Sequence, residues 1–177
     1  MQVYDIMMKK IIIIIFIILI STNAVLAVEK WQNPKSIKTY IPQNHANSLM
    51  MRHAFEEWTR LTNDKIIFVF VKSKDSSQID VEFVKQIENQ SDKAIGLTRR
   101  KFYPNRLVHA TVYIADKTQQ GKSLNRDEIY TTMLHEIGHA IGLDHTNDKK
   151  SVMYPGVNVI QEIQKADLDT INALYKF

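Results

Sequence analysis

The sequence predicts an α+β domain built from a sheet of about five short strands and three helices. Three observations lead there. Five segments of five to seven residues either alternate in polarity or run apolar and β-branched, as strands do. Three longer segments repeat their apolar residues every three to four positions, as helices do. The roughly 150 residues that follow an N-terminal leader suit one domain with a real core.

The chain has 177 residues, and residues 1–27 read as a secretory signal peptide. Lys9 and Lys10 form a basic end, residues 11–20 are an uninterrupted apolar run, and residues 21–27 are small and polar enough for cleavage after Ala27. Ten apolar residues fall short of the roughly 20 that a membrane-spanning helix needs. Cleavage after Ala24 and an uncleaved anchor are the alternatives. Export leaves a mature domain at 28–177 with 21 basic and 18 acidic residues, a balance too mild to specify a partner. The cluster Arg99, Arg100, Lys101 is expected to be a solvated face, binding to an acidic surface being the weaker reading. The chain has no cysteine, so an exported domain must draw its stability from its core and any metal.

In order, residues 37–41 alternate and stop at Pro42, which predicts a first strand. A helix over about 46–61 follows, with Asn44 or Asn47 as its cap and Met50, Ala54, Phe55, Trp58 and Leu61 as its apolar stripe. Residues 66–71 are all β-branched or aromatic, which predicts a central strand buried on both faces. At 79–83, Ile79, Val81 and Phe83 alternate with Asp80 and Glu82, a third strand with one wetter face. After a polar loop at 88–93, residues 94–98 form a short strand. Residues 108–114 form the last one, with Ala110, Val112 and Ile114 on one face and His109 a sheet-surface residue rather than a ligand. A loop over 116–124 leads to a helix that Asn125 and Glu128 start as a capping box. On it Ile129, Met133, Ile137 and Ala140 share one arc. A closing helix over 163–175 packs through Ile163, Leu168, Ile171, Leu174 and Tyr175.

The chemistry lies in His135-Glu136-Ile137-Gly138-His139-Ala140-Ile141-Gly142-Leu143-Asp144-His145, which reads H-E-x-x-H-x-x-G-x-x-H. On a helix His135 and His139 project from one face, one turn apart, and can close on one metal ion. Glu136 is offset by about 100° from His135 and about 60° from His139, so it reaches a metal-bound water without ligating. A continuing helix would carry His145 away, and Gly142 supplies the left-handed turn that brings it back. The first five positions alone also fit a helix that merely carries two histidines. Gly142 and His145 at their spacings weigh against that reading.

This motif resembles the signature of the metzincin metallopeptidases, and Ser151-Val152-Met153-Tyr154-Pro155 resembles their methionine turn. Thr146 after the third histidine, the Ser-x-Met-Tyr-Pro turn, Ala54-Phe55-x-x-Trp58 and the closing helix are similar to the matrixins, the matrix-metalloproteinase family. The resemblance implies the zincin (metzincin) fold: a mixed, twisted sheet with an antiparallel edge strand, a long helix, an active-site helix, a Met-turn and a C-terminal helix. Residues 94–98 would be the edge strand against which an extended peptide lies. Met153 would be an apolar floor under the metal and not a ligand. Only His109 is available for the second, structural zinc that matrixins hold, so that site is not expected. No clustered carboxylates argue for calcium. Pro155-Gly156-Val157 lacks the pocket-wall tyrosine of matrixins, which leaves the cleavage preference open. Without cysteine the matrixin latency switch is not expected, and with few residues before Trp31 neither is a propeptide.

These readings converge on a secreted zinc endopeptidase acting as a monomer on protein or peptide substrates. His135, His139 and His145 would hold one catalytic Zn2+, and Glu136 would take a proton from the attacking water and pass it to the departing amine. The rival is a zinc-holding module that binds a protein or peptide without turnover. No aromatic-basic patterning points to nucleic acid and no dinucleotide loop is present. No membrane contact is expected once the signal is removed.

Overall fold

The computed structural model describes residues 30–87, 94–104, 106–156 and 162–177. The signal peptide expected at 1–27, the loop at 88–93 and Val157 lie outside the described residues. Five strands and three helices follow one another as β1 (Ile37–Tyr40), α1 (Ser48–Leu61), β2 (Phe68–Val71), β3 (Ile79–Val84), β4 (Gly96–Phe102), β5 (Leu107–Ala115), α2 (Arg126–Ala140) and α3 (Lys165–Tyr175). The strands form one sheet in the order β2-β1-β3-β5-β4. All neighbours run parallel except β4, which is antiparallel to β5 and closes one edge. The fold is thus the mixed α+β architecture expected, antiparallel edge strand included.

Register decides which residues form the core. Ile37 pairs with Phe68, Ile79 with Ala110, Val81 with Val112 and Phe83 with Ile114. Because side chains alternate across a strand, these residues share one face. That face packs against α1 and α2 in a single hydrophobic cluster. From α1, Met51, Ala54, Phe55 and Trp58 are buried, a spacing that keeps them on one side of the helix. Phe55 meets Phe68 edge-on with ring centroids 4.7 Å apart, and Trp58 Nε1 donates to Leu134 O of α2 at 3.0 Å.

Four expectations need correction. The apolar run at 66–71 is not a central strand: β2 pairs only with β1 and forms the opposite edge. Its core-facing Ile66 and Phe68 are buried, whereas Val69 on the other side is 42% exposed. Hydrophobicity there reports α1 overhead, not two flanking strands. At α1, Asn47 occupies the cap position but its side chain accepts no hydrogen bond. Instead Ser48 Oγ donates to Pro42 O and His45 Nδ1 accepts from Asn47 N at 3.2 Å. The short strand expected at 94–98 runs on to Phe102, so Arg99, Arg100 and Lys101 are strand residues. Finally, Asp80 is fully buried although it points away from the helices. His109 Nε2 at 2.9 Å and Lys74 Nζ at 3.2 Å cover it, and Lys74 also pairs with Glu82.

Among the described residues no helix is long and apolar enough to cross a membrane.

Candidate metal centre

The centre is built on α2, whose start is fixed by a reciprocal pair of bonds. Asn125 Oδ1 accepts from Glu128 N and Glu128 Oε2 accepts from Asn125 N, both at 2.8 Å. The helix buries Ile129, Met133, Leu134, Ile137 and Ala140 against the sheet and α1, which leaves His135 and His139 on the opposite side. It ends in a Schellman turn: Leu143 N bonds Gly138 O at 2.9 Å and Gly142 N bonds His139 O at 3.0 Å. Gly142 sits at φ 104°, a conformation open to glycine and strained for other residues. The turn sends the chain back past the helix face and delivers His145 to the other two histidines.

The three Nε2 atoms converge. They lie 3.1 Å apart for His139 and His135, 3.1 Å for His139 and His145, and 3.2 Å for His135 and His145. The far side of two rings is also fixed. His135 Nδ1 lies 2.7 Å from Val152 O and His139 Nδ1 lies 2.8 Å from Leu143 O. A carbonyl oxygen can only accept, so both Nδ1 atoms carry the proton and both Nε2 atoms present bare lone pairs to each other. Protonating either ring would relieve that clash, but burial opposes it. The His135 imidazole is held below its ordinary value chiefly by burial, and His139 is brought down to about 4 by burial and by its neighbour His135. A cation at the meeting point would satisfy this donor set. The spacing also fits, because nitrogens at about 2.0–2.1 Å from a tetrahedral zinc stand roughly 3.3 Å apart. The three histidines are, among the described residues, the one group of this kind able to share an ion.

Glu136, beside His135 on the same turn, is only 6% exposed. The Thr98 hydroxyl lies 2.7 Å from its Oε2 and 2.9 Å from its carbonyl O, which ties α2 to the edge strand β4. Burial pushes the Glu136 carboxyl up to about 7, with the Thr98 hydroxyl pulling the other way. Gly96, two residues before Thr98, makes room for it. A Cβ there would stand 2.6 Å from Glu136 Oε1.

Met153 lies beneath α2, buried against the backbone of Gly138, where an added Cβ would meet its Sδ at 2.3 Å. The turn that carries it is held by Asp167 from the first turn of α3. This buried carboxylate accepts from Ser151 Oγ, from Val152 N at 3.2 Å and from Gln164 N at 2.8 Å. It thereby also fixes the carbonyl that orients His135. At the other end of α2, Trp31 Nε1 donates to Ala140 O and Tyr175 OH donates to Ile141 O, both at 2.9 Å. These are two of the carbonyls a helix end leaves unpaired.

Thr98, Gly96, Asp167 and Trp31 were not marked as functional by the sequence. Asp167 alone carried a local signal, since Gln164 and Asp167 have capping-box spacing. The others act through contacts between segments far apart in the chain, such as Trp31 to Ala140, 109 residues away.

Comparison with known proteins agrees with this geometry. The matrixin (peptidase M10) family profile matches residues 30–176. Over 127 residues the chain is 28% identical to interstitial collagenase of Oryctolagus cuniculus, covering 69% of this chain and 26% of that protein. It is 26% identical over 143 residues to karilysin of Tannerella forsythia, covering 75% of this chain and 30% of the relative. Macrophage metalloelastase of Oryctolagus cuniculus is 24% identical over 145 residues, 78% of this chain and 31% of that protein. The chain thus spans about a third or less of the length of these curated relatives. Since the profile extends from the segment before β1 to the last helix, the chain belongs to the matrixin family of zinc-dependent metallopeptidases.

Proposed function

We propose that residues 1–27 direct export and that the domain at 28–177 is a zinc endopeptidase working outside the cytoplasm. His135, His139 and His145 are the zinc ligands and Glu136 is the general base. The observation that carries this reading is the meeting of three Nε2 atoms, two of them necessarily bare, on the helix that also holds a buried carboxylate.

When bound, zinc supplies a Lewis acid for the scissile carbonyl and a water of pKa near 7 in place of about 15.7. The protein residues do the rest. Val152 O and Leu143 O hold the His135 and His139 rings in the tautomer that leaves Nε2 free to ligate. Thr98 engages Oε2 of Glu136, so Oε1 is the oxygen free to take the water proton as hydroxide adds to the carbonyl carbon. When the C–N bond breaks, the same carboxyl returns that proton to the departing amine. A carboxyl brought to about 7 by burial is suited to both steps near neutral pH. Met153 fills the space under the helix as an apolar floor.

The test uses the purified mature domain, a mixed peptide library and a zinc chelator, with Glu136→Gln as control. Chelator-sensitive cuts that the variant does not make, at one zinc per chain in both proteins, are expected. Equal turnover by wild type and variant would remove Glu136 from the mechanism. A folded, zinc-loaded protein that cuts nothing would point to the binding module instead.

A further inference from the structure

The free edge of β4 runs past the candidate centre, because β4 pairs with β5 alone and its Thr98 reaches Glu136. Strand alternation sorts its side chains. Gly96, Thr98 and Arg100 pair with Ile114, Val112 and Ala110 and so share the core face, while Arg99 and Lys101 share the outer face opposite Thr111 and His109. Both outer cations are exposed.

Neither has a carboxylate partner among the described residues, and the structure shows why. The acids nearest in register on that face are already engaged: Asp80 by His109 and Lys74, Glu82 by Lys74. On the other face, Arg100 Nη2 bonds Asp144 Oδ1 at 2.7 Å, which uses the acid beside His145. The Arg99 guanidinium merely lies over the Tyr113 ring, 5.4 Å from its centroid. Among the described residues two cations therefore stand without a carboxylate, two residues apart, along the edge where a peptide would add.

A peptide that joins β4 as a further strand brings alternate side chains to the outer face, with facing Cβ atoms about 4.5–5.5 Å from those of β4. We propose that Arg99 and Lys101 select peptides with acidic side chains at two alternate positions, both on one side of the scissile bond. Thr98 marks the level of Glu136, so the selected positions fall within about three residues of the cut. This assignment rests on the peptidase reading and adds its substrate class. The competing use of edge cations is to repel other strands, which would give no preference among peptides of different charge.

The experiment measures binding and cleavage separately. Fluorescein-labelled ten-residue peptides carry Glu, Gln or Lys at two alternate positions, with the pair stepped along the sequence. Binding is read by anisotropy on zinc-loaded Glu136→Gln protein at low salt. Each exposed ion pair should contribute about two- to fivefold, so the best Glu peptide should bind roughly 4- to 25-fold tighter than its Gln counterpart. Adding Arg99→Gln and Lys101→Gln should abolish that advantage, as should about 1 M NaCl. Arg99→Glu with Lys101→Glu should instead favour the Lys peptide, and circular dichroism checks that each variant is folded. Equal binding of Glu, Gln and Lys peptides would overturn the assignment. Cleavage of the same peptides by the wild type tests the underlying reading: charge-selective binding without any cut would sink the peptidase and leave the strand preference standing.

Discussion

Gly96→Ala should damage catalysis far more than folding. No unusual backbone conformation is involved, because Gly96 does not sit at positive φ. Space is the issue: the new Cβ would lie 2.6 Å from Glu136 Oε1, 2.6 Å from Thr132 Cγ2 and 2.7 Å from Glu136 Cγ. Non-bonded heavy atoms rest at about 3.5 Å or more, so the Glu136 side chain must withdraw by roughly 1 Å. A displacement of that size at a reacting group costs about 100-fold in rate. The cost in stability should be only about 1 kcal/mol, the low end for overpacking, because the carboxylate can swing aside. Steady-state kinetics on a cleaved peptide, with zinc content and a thermal melt on the same samples, tests this. We expect kcat to fall about 100-fold at nearly constant KM, with one zinc retained. A folded variant that keeps a third or more of wild-type kcat would refute the idea that Gly96 exists to seat the base.

The same seat predicts that Thr98→Val, which removes the hydroxyl but not the bulk, lowers kcat about 10- to 100-fold, the worth of a hydrogen bond to a charged group. Thr98→Ser should restore most of it, and an equal loss in both variants would assign the effect to packing. Asp167→Asn should destabilise the protein by about 1–3 kcal/mol, because the amide nitrogen must replace either the oxygen that accepts from Ser151 Oγ or the one that accepts from both Val152 N and Gln164 N; a urea midpoint within error of wild type would contradict this. For the chelated protein, the buried groups oppose each other, with His135 and His139 on one side and Glu136 on the other. His139, held at about 4, costs stability as pH falls below its ordinary 6.5, because the unfolded chain then binds a proton that the folded site refuses. Glu136, raised to about 7, adds stability that is complete below its ordinary 4.5 and is lost as pH rises through 7. Between pH 6.5 and 4.5 chelated wild type should therefore lose less stability than chelated Glu136→Gln, by about 2 kcal/mol in urea-derived stability; parallel profiles would refute the opposition.

What was legible in the sequence was local. The bounds of α2 follow from Asn125, Glu128 and Gly142, each acting within a few residues of itself, and the histidine spacing rides on that helix. Alternation in β3 and β5 gave their core faces, because a one-residue slip would have exposed every apolar side chain. Neighbours in the sheet were not legible. The run at 66–71 is apolar because α1 covers one side of it, and nothing in such a run counts the strands beside it. Arg99 to Lys101 fall outside the strand expected at 94–98 because strand formation there comes from pairing with β5, a non-local cause. For the same reason the groups that steady the centre stayed hidden. Thr98 is a threonine at the end of an unremarkable apolar stretch until β4 is laid beside Glu136.

The arrangement around the end of α2 explains how a domain without cysteine brings the Nε2 atoms of three histidines to 3.1–3.2 Å of one another. A helix that stops so that its next residues can turn back must leave carbonyls unpaired, and burying them unpaired is costly. Here Ala140 O and Ile141 O receive their donors from Trp31 and Tyr175, side chains near opposite ends of the described chain, and Trp31 N in turn donates to Tyr175 OH at 3.3 Å. The turn that aims His145 is thus fastened from both directions before any metal binds. Meanwhile Asp167 fastens the carbonyl that aims His135, and the turn itself supplies the carbonyl that aims His139. His135 and His139 are therefore each oriented by a bond to a different carbonyl, and His145 by the turn that carries it. Loss of one support should loosen one ligand rather than melt the centre as a whole.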